Sequence, residues 1–275
     1  ENGCRVSRVR HCPIASIKFH GDSMSRKRYL SNPLLILVIA VTLTGCTSSS
    51  YEWGWFEIIP TTSQGASNLR FLAGGVWMTL ALSLTSIFFS ILIGLFIALT
   101  GISETSWLRW ANRTYVEIFR SIPILVLILW VYYGLPVVLG ISMNPFSAGV
   151  VALALSDSAF EAEIFRGGIQ SIGKGQIEAA DSIGLNYYQK MRVIILPQAV
   201  RRILPPLGNQ FVYMLKMSSL VSIIGLQELT RRANELTVTV YRPLEIYTVL
   251  VVEYLLLILI FSWLVRRLEY KLKIY

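Results

Sequence analysis

From residue 72 onward, long apolar runs alternate with short polar stretches. Five runs stand out, at about 72–100, 115–139, 146–166, 200–225 and 246–266. Each approaches or exceeds the ~20 residues of helix that cross a ~30 Å hydrocarbon core. The pattern predicts an all-α integral membrane protein with five core transmembrane helices. Composition agrees: 54% of the residues are hydrophobic, 15% are charged and the mean hydropathy is +0.57. A soluble domain carries about 25% charge, and buried helices of a large soluble bundle seldom run this long without it.

The polar stretches orient the spans. SETSWLRWANR, between the first and second runs, carries Arg109 and Arg113. The long stretch between the third and fourth carries Arg166, Lys174, Lys190, Arg192, Arg201 and Arg202, and the tail reads RRLEYKLK. Alternating spans put all three on one side, and basic loops stay in the cytoplasm. The C-terminus is therefore expected in the cytoplasm. Arg231, Arg232 and Arg242 fall in the outer loop and run against the rule. Trp107, Trp110, Tyr132 and Tyr133 lie near span ends, where aromatic rings settle at the membrane interface.

Ahead of the runs the text changes character. Residues 1–23, ENGCRVSRVRHCPIASIKFHGDS, show no period and are read as a non-native leader, upstream read-through ahead of a start at Met24. Residues 24–46 have a basic beginning (Arg26, Lys27, Arg28), an apolar centre (Leu34 to Leu43) and small residues at the end. That is the build of a signal peptide or signal anchor. Its end, Leu43-Thr44-Gly45-Cys46, resembles the lipobox at which bacterial lipoproteins are acylated, so Cys46 is a possible lipidation site. The alternative is an uncleaved first helix. Residues 47–70 then form an extracytoplasmic segment, and 71–275 the transmembrane domain.

Little catalytic chemistry is available. His11 and His20 both precede Met24, and the three cysteines show no C-x-x-C spacing. No catalytic residue, metal site or cofactor site is expected in the folded body. The net charge of +9 is accounted for by basic cytoplasmic loops, and no basic and aromatic stripe suggests nucleic acid. A passive channel would show a repeated polar ring, and none is visible.

GIQSIGKG, residues 168–175, approaches the phosphate-loop pattern but has Gly175 where a magnesium-binding hydroxyl belongs. It also follows a membrane run, not a strand. The next residues are more informative. Gln176 to Ser182 favours helix, Gly184 and Asn186 supply a stop, Tyr187 to Ile195 starts a second helix, and Pro197 marks the return to the membrane. A short helix, a Gly corner and a second helix can insert into a partner's groove.

The spacing E-A-A-x₃-G-x₉-I-x-L-P in this loop resembles the coupling loop of ABC importer permeases. The closest resemblance is to the polar amino-acid branch, which carries histidine, glutamine, arginine or opines. It runs from about Gly75 to Lys273 and includes YVEIFRSIPILVLILWVYYGLP (115–136), AEIFRGGIQSI (162–172), GQIEAADSIGL (175–185), VIILPQAVRRILPPLGNQ (193–210) and LKMSSLVSIIGLQEL (215–229). The resemblance implies a permease subunit in a bacterial cytoplasmic (inner) membrane. Its coupling loop, 173–197, would use Gln176, Glu178, Ala179, Ala180, Asp181, Gly184, Leu196 and Pro197. Implied partners are a cytoplasmic ABC ATPase dimer, a second permease (identical or paralogous), an extracytoplasmic amino-acid-binding protein and membrane lipids. ATP and magnesium would act in the ATPase, and this chain would hold no cofactor. Another small polar or cationic solute is the alternative cargo.

Three departures from the family pattern stand out. Gly173 replaces a usual Pro, Ser158-Ala159-Phe160 replaces Gly-Ala-Tyr, and Met217 replaces an Asp beside Lys216. Candidate pathway residues are Asp157, Glu161, Glu163 and Arg166, because ionisable groups within a membrane are costly and usually functional. Glu163 and Arg166, three apart, can equally pair with each other. Asp157 and Glu161, four apart, would suit a cationic group. Glu117 and Arg120 match family positions near the start of the second run.

Overall fold

The computed structural model describes residues 51–272, and residues 53–272 lie in one compact unit. The leader, the signal-like segment and Cys46 lie outside the described residues. Every regular element described is helical.

Helix α1 (Ser63–Ala73) starts where Thr62 accepts from the Gly65 amide at 3.0 Å, and it runs almost directly into α2 (Gly75–Ile102). Helix α3 (Ser106–Ser121) is amphipathic and polar. The chain then turns by 97° into α4, residues Ile124–Leu139. The turn follows from Pro123, which holds Ile122 extended (φ −83°, ψ 124°) and so cannot continue α3. The expected single span at 115–139 is thus corrected. Residues 115–121 belong to the polar helix, and only the part after Pro123 is apolar throughout.

Helix α5 (Pro145–Gln170) is capped by Asn144, which accepts from Ser147 N at 2.8 Å. Helices α6 (Lys174–Ser182) and α7 (Tyr187–Lys190) form the loop after it. A wide turn at Met191–Ile195 carries α7 straight into α8 (Leu196–Met217). Pro197 sits in the first turn of α8, where its missing N–H costs nothing. After Ser218–Ile224 and the left-handed Gly225 come α9 (Leu229–Val240) and α10 (Pro243–Leu272).

The centre of the bundle is α2 against α5. Helix α2 buries Thr79, Ser83, Ser86, Ser90, Gly94 and Ala98, and α5 buries Ala148, Ala152, Ser158, Ala159 and Ala162. Small faces let two backbones approach, the usual basis of helix packing in lipid. A Cβ on Gly94 would stand 2.8 Å from Glu161 Cβ and 3.0 Å from the Ser158 carbonyl oxygen. Larger side chains fill either end. Leu82, Ile128, Leu153, Met214 and Val221 form one cluster, and Phe165, Ala199 and Ile203 another. Outward-facing Phe88, Phe96, Leu255, Leu259 and Ile260 are exposed, as lipid-facing residues are.

Among the described residues, Ser63–Ile102 and Pro243–Lys271 are long and apolar enough to cross a membrane, and α3 with α4 qualifies only as a bent pair. The expected third and fourth runs are α5 and α8, continuous helices of 26 and 22 residues. Asp157 and Glu161 lower the apolar character of α5, and Pro205 and Pro206 lie inside α8.

Candidate functional site

The loop between α5 and α8 is built by local rules. Gly184, at φ 75°, takes the left-handed corner. Its N–H bonds the Asp181 carbonyl at 2.9 Å, and Leu185 N–H bonds the Ala180 carbonyl at 3.1 Å. This pair of bonds closes the end of α6 as a Schellman cap. Asn186 then opens α7. It accepts from Gln189 N at 2.9 Å, while the Gln189 side chain accepts from Asn186 N at 3.0 Å. Lys190 Nζ reaches back to Asp181 Oδ1 at 2.5 Å, tying the two loop helices together. Arg202 of α8 donates to the Ser171 carbonyl at the end of α5, which ties the loop's two stems.

One face of the loop is free. Gln176, Glu178, Ala179 and Pro197 are exposed, as are Ile183 (72%), Tyr187 (71%), Val193 (65%) and Leu196. Ala180 is packed inward at 1%. The two alanines of the E-A-A stretch therefore divide the work, one packing and one facing out.

The structure puts Asp157 and Glu161 inside the bundle, 3% and 0% exposed. Ser90 of α2 donates to Asp157 Oδ2 at 3.1 Å, and Gln210 of α8 donates to Oδ1. Neither carboxylate oxygen of Glu161 makes a hydrogen bond of good geometry, nor, further along α2, do the buried Ser83 and Ser86 hydroxyls. Ser90 and Gln210 are absent from the residues that sequence reasoning picks out. They are uncharged, and only their packing against Asp157 distinguishes them.

Glu163 and Arg166 face elsewhere. Arg120 of α3 donates to Glu163 and lies over the Phe160 ring at 5.1 Å. Arg166 approaches the same carboxylate at 3.7 Å. The available signal was a repeat: the tetrapeptide Glu-Ile-Phe-Arg occurs at 117–120 and again at 163–166. The fold brings both copies to one cavity of about 520 Å³, lined also by Asn112, Arg113 and Ser121.

A bundle of apolar helices with buried polar groups and an exposed helix–corner–helix loop defines a helical membrane component. Residues 90–274 match the family model described as the binding-protein-dependent transport system inner membrane component, and the chain belongs to that family. It is similar to the glutamine transport system permease protein GlnP of Escherichia coli (strain K12), with 39% identity over 81% of this chain and 99% of the relative. It is also similar to the arginine transport system permease protein ArtQ of Bacillus subtilis (strain 168), with 35% identity over 74% and 94%. The solved structure of an amino acid ABC transporter with histidines superposes with a TM-score of 0.72 at 40% identity, covering 75% of this chain and 96% of that one. An inward-facing MetNI methionine ABC transporter shares the fold at 23% identity and a TM-score of 0.64.

Proposed function

We propose that this chain is the translocation subunit of an ATP-driven amino-acid importer in a bacterial inner membrane. It pairs with a second permease copy or paralogue and receives cargo from an extracytoplasmic amino-acid-binding protein. The observation that carries this reading is the loop 173–197. It is a helix, Gly corner and helix whose stems and helices are tied to each other, while Glu178, Ala179 and Ile183 face out. Such a rod suits a groove on a cytoplasmic ATPase, which supplies ATP and magnesium chemistry. Nucleotide-driven movement of the ATPase shifts the permease between two states, to which it contributes as differential binding. The similarity to glutamine and arginine permeases supports an amino-acid cargo. This chain itself is a transport subunit, not an enzyme.

Asp157 and Glu161 favour a cargo with a cationic group. Two carboxylates one turn apart, taken out of water, are expensive to ionise unless a cation joins them. Another small polar or cationic solute, such as an opine, is the alternative. The test is co-expression with a candidate ABC ATPase and an amino-acid-binding protein. The expected result is stoichiometric copurification of the ATPase and accumulation of labelled amino acid that stops with Asp157→Asn plus Glu161→Gln for basic cargo. Nucleotide hydrolysis by this chain alone would overturn the proposal.

A further inference from the structure

We infer that the cavity between α3 and α5 binds the main-chain zwitterion of an α-amino acid on the coupling-loop side of the bundle. This rests on the amino-acid transport reading above and adds a second, separate station to it. The volume of about 520 Å³ falls within the ~300–1,000 Å³ of small-molecule sites.

The charges in the cavity are unequally occupied. Arg120 and Glu163 satisfy each other, and the Arg120 guanidinium is also seated on Phe160. Together they form a fixed wall. Arg113 and Glu117 line the same cavity, and neither makes an ion pair with a described residue. They stand four apart on α3, which brings Cβ atoms on a helix to about 5–6 Å. With the acidic residue C-terminal, theirs is the weaker of the two i,i+4 arrangements, and the two side chains do not meet. An unpaired guanidinium thus sits one turn from an unpaired carboxylate. Arg113 is repelled by a simple cation and Glu117 by a simple anion. A molecule that carries a carboxylate and an ammonium on one carbon satisfies both, with the guanidinium taking the carboxylate through two parallel N–H bonds.

The position fits cargo leaving the bundle. Glu163 is seven residues before the end of α5 at Gln170, about 10 Å along the helix, and the coupling loop follows directly. Recognition here reads the main chain, so side-chain identity matters little.

The test is ligand-observed saturation-transfer NMR on the full chain in nanodiscs of phosphatidylglycerol and phosphatidylcholine. L-glutamine and L-arginine are both expected to bind. The glutamine analogues that lack the amino group (4-carbamoylbutanoate) or the carboxylate (4-aminobutanamide) are expected at least tenfold weaker. In an Asp157→Asn/Glu161→Gln background, which removes the first station, Arg113→Gln and Glu117→Gln should each abolish the signal. Arg113→Lys and Glu117→Asp, which keep the charges, should retain it, as should the exposed control Glu104→Gln. Equal binding by the analogues, or undiminished binding by both Gln variants, would overturn the inference. So would loss of the glutamine signal when phosphatidylethanolamine is added to the discs, since that would assign the cavity to a lipid headgroup. If the assembled transporter accumulates amino acids while the Gln variants bind normally, only this inference falls. If no amino acid accumulates while the NMR pattern holds, the transport reading falls instead.

Discussion

Arg120 on α3 donates to Glu163 on α5, joining two copies of the same tetrapeptide that lie 43 residues apart at the paired positions. Both side chains remain substantially exposed, at 43% and 37%. Solvent-accessible pairs contribute about 0–1 kcal/mol, so this contact is better placed to hold the cavity wall than to stabilise the bundle. A Arg120→Gln/Glu163→Gln double-mutant cycle, read by thermal unfolding in detergent, should give a coupling below about 1 kcal/mol. A coupling several-fold larger would show that the pair is a structural anchor.

The α2–α5 contact should be intolerant of a single methyl group. Gly94→Ala places a Cβ against Glu161 and against backbone that cannot move aside, with an expected cost of about 1–3 kcal/mol. Gly167→Ala, on the open side of α5, meets nothing within 4 Å. It should be neutral or stabilise by up to about 1 kcal/mol through helix propensity. Unfolding temperatures of the two variants, measured side by side, check the contrast.

The corner of the loop 173–197 depends on backbone conformation rather than space. A Cβ on Gly184 meets nothing within 4 Å, but φ is 75°. Gly184→Ala should therefore cost about 1–2 kcal/mol locally, and Gly184→Asn less. Hydrogen exchange of residues 174–190 should accelerate in that order, while exchange in α2 and α5 stays unchanged.

Glu228 is an N-cap with a second duty. It is 0% exposed, accepts from Arg231 N at 2.7 Å to start α9, and accepts from Tyr254 of α10 at 2.9 Å. Glu228→Ala removes the cap and takes one of two partners from the Tyr254 hydroxyl, which keeps Thr230 at 3.1 Å; the expected loss is about 0.5–2 kcal/mol. Glu228→Gln keeps an oxygen for Arg231 N and should recover most of that loss in the same melt.

Much of this architecture was legible in the residues. Long apolar runs gave helical membrane segments because length and hydropathy are local properties. The helix–corner–helix of residues 173–197 was legible for the same reason: Gly184, Asn186 and Pro197 act within a few residues of themselves. The 97° turn at Pro123 was missed because apolar residues on either side blur a break that only the Ile-Pro step marks. The partners of Asp157 and the meeting of the two Glu-Ile-Phe-Arg copies depend on long-range packing. No periodicity in one sequence encodes which helices will touch.

The account turns on the outward face of the loop 173–197 engaging a separate ATPase. A photoreactive side chain placed at Ile183 or Ala179, both on that face, tests this most directly when the chain is assembled with its ATPase. Cross-linking to the ATPase is expected from both positions and not from Ala180, which packs inward. Equal capture from all three, or none from the exposed two, would contradict it.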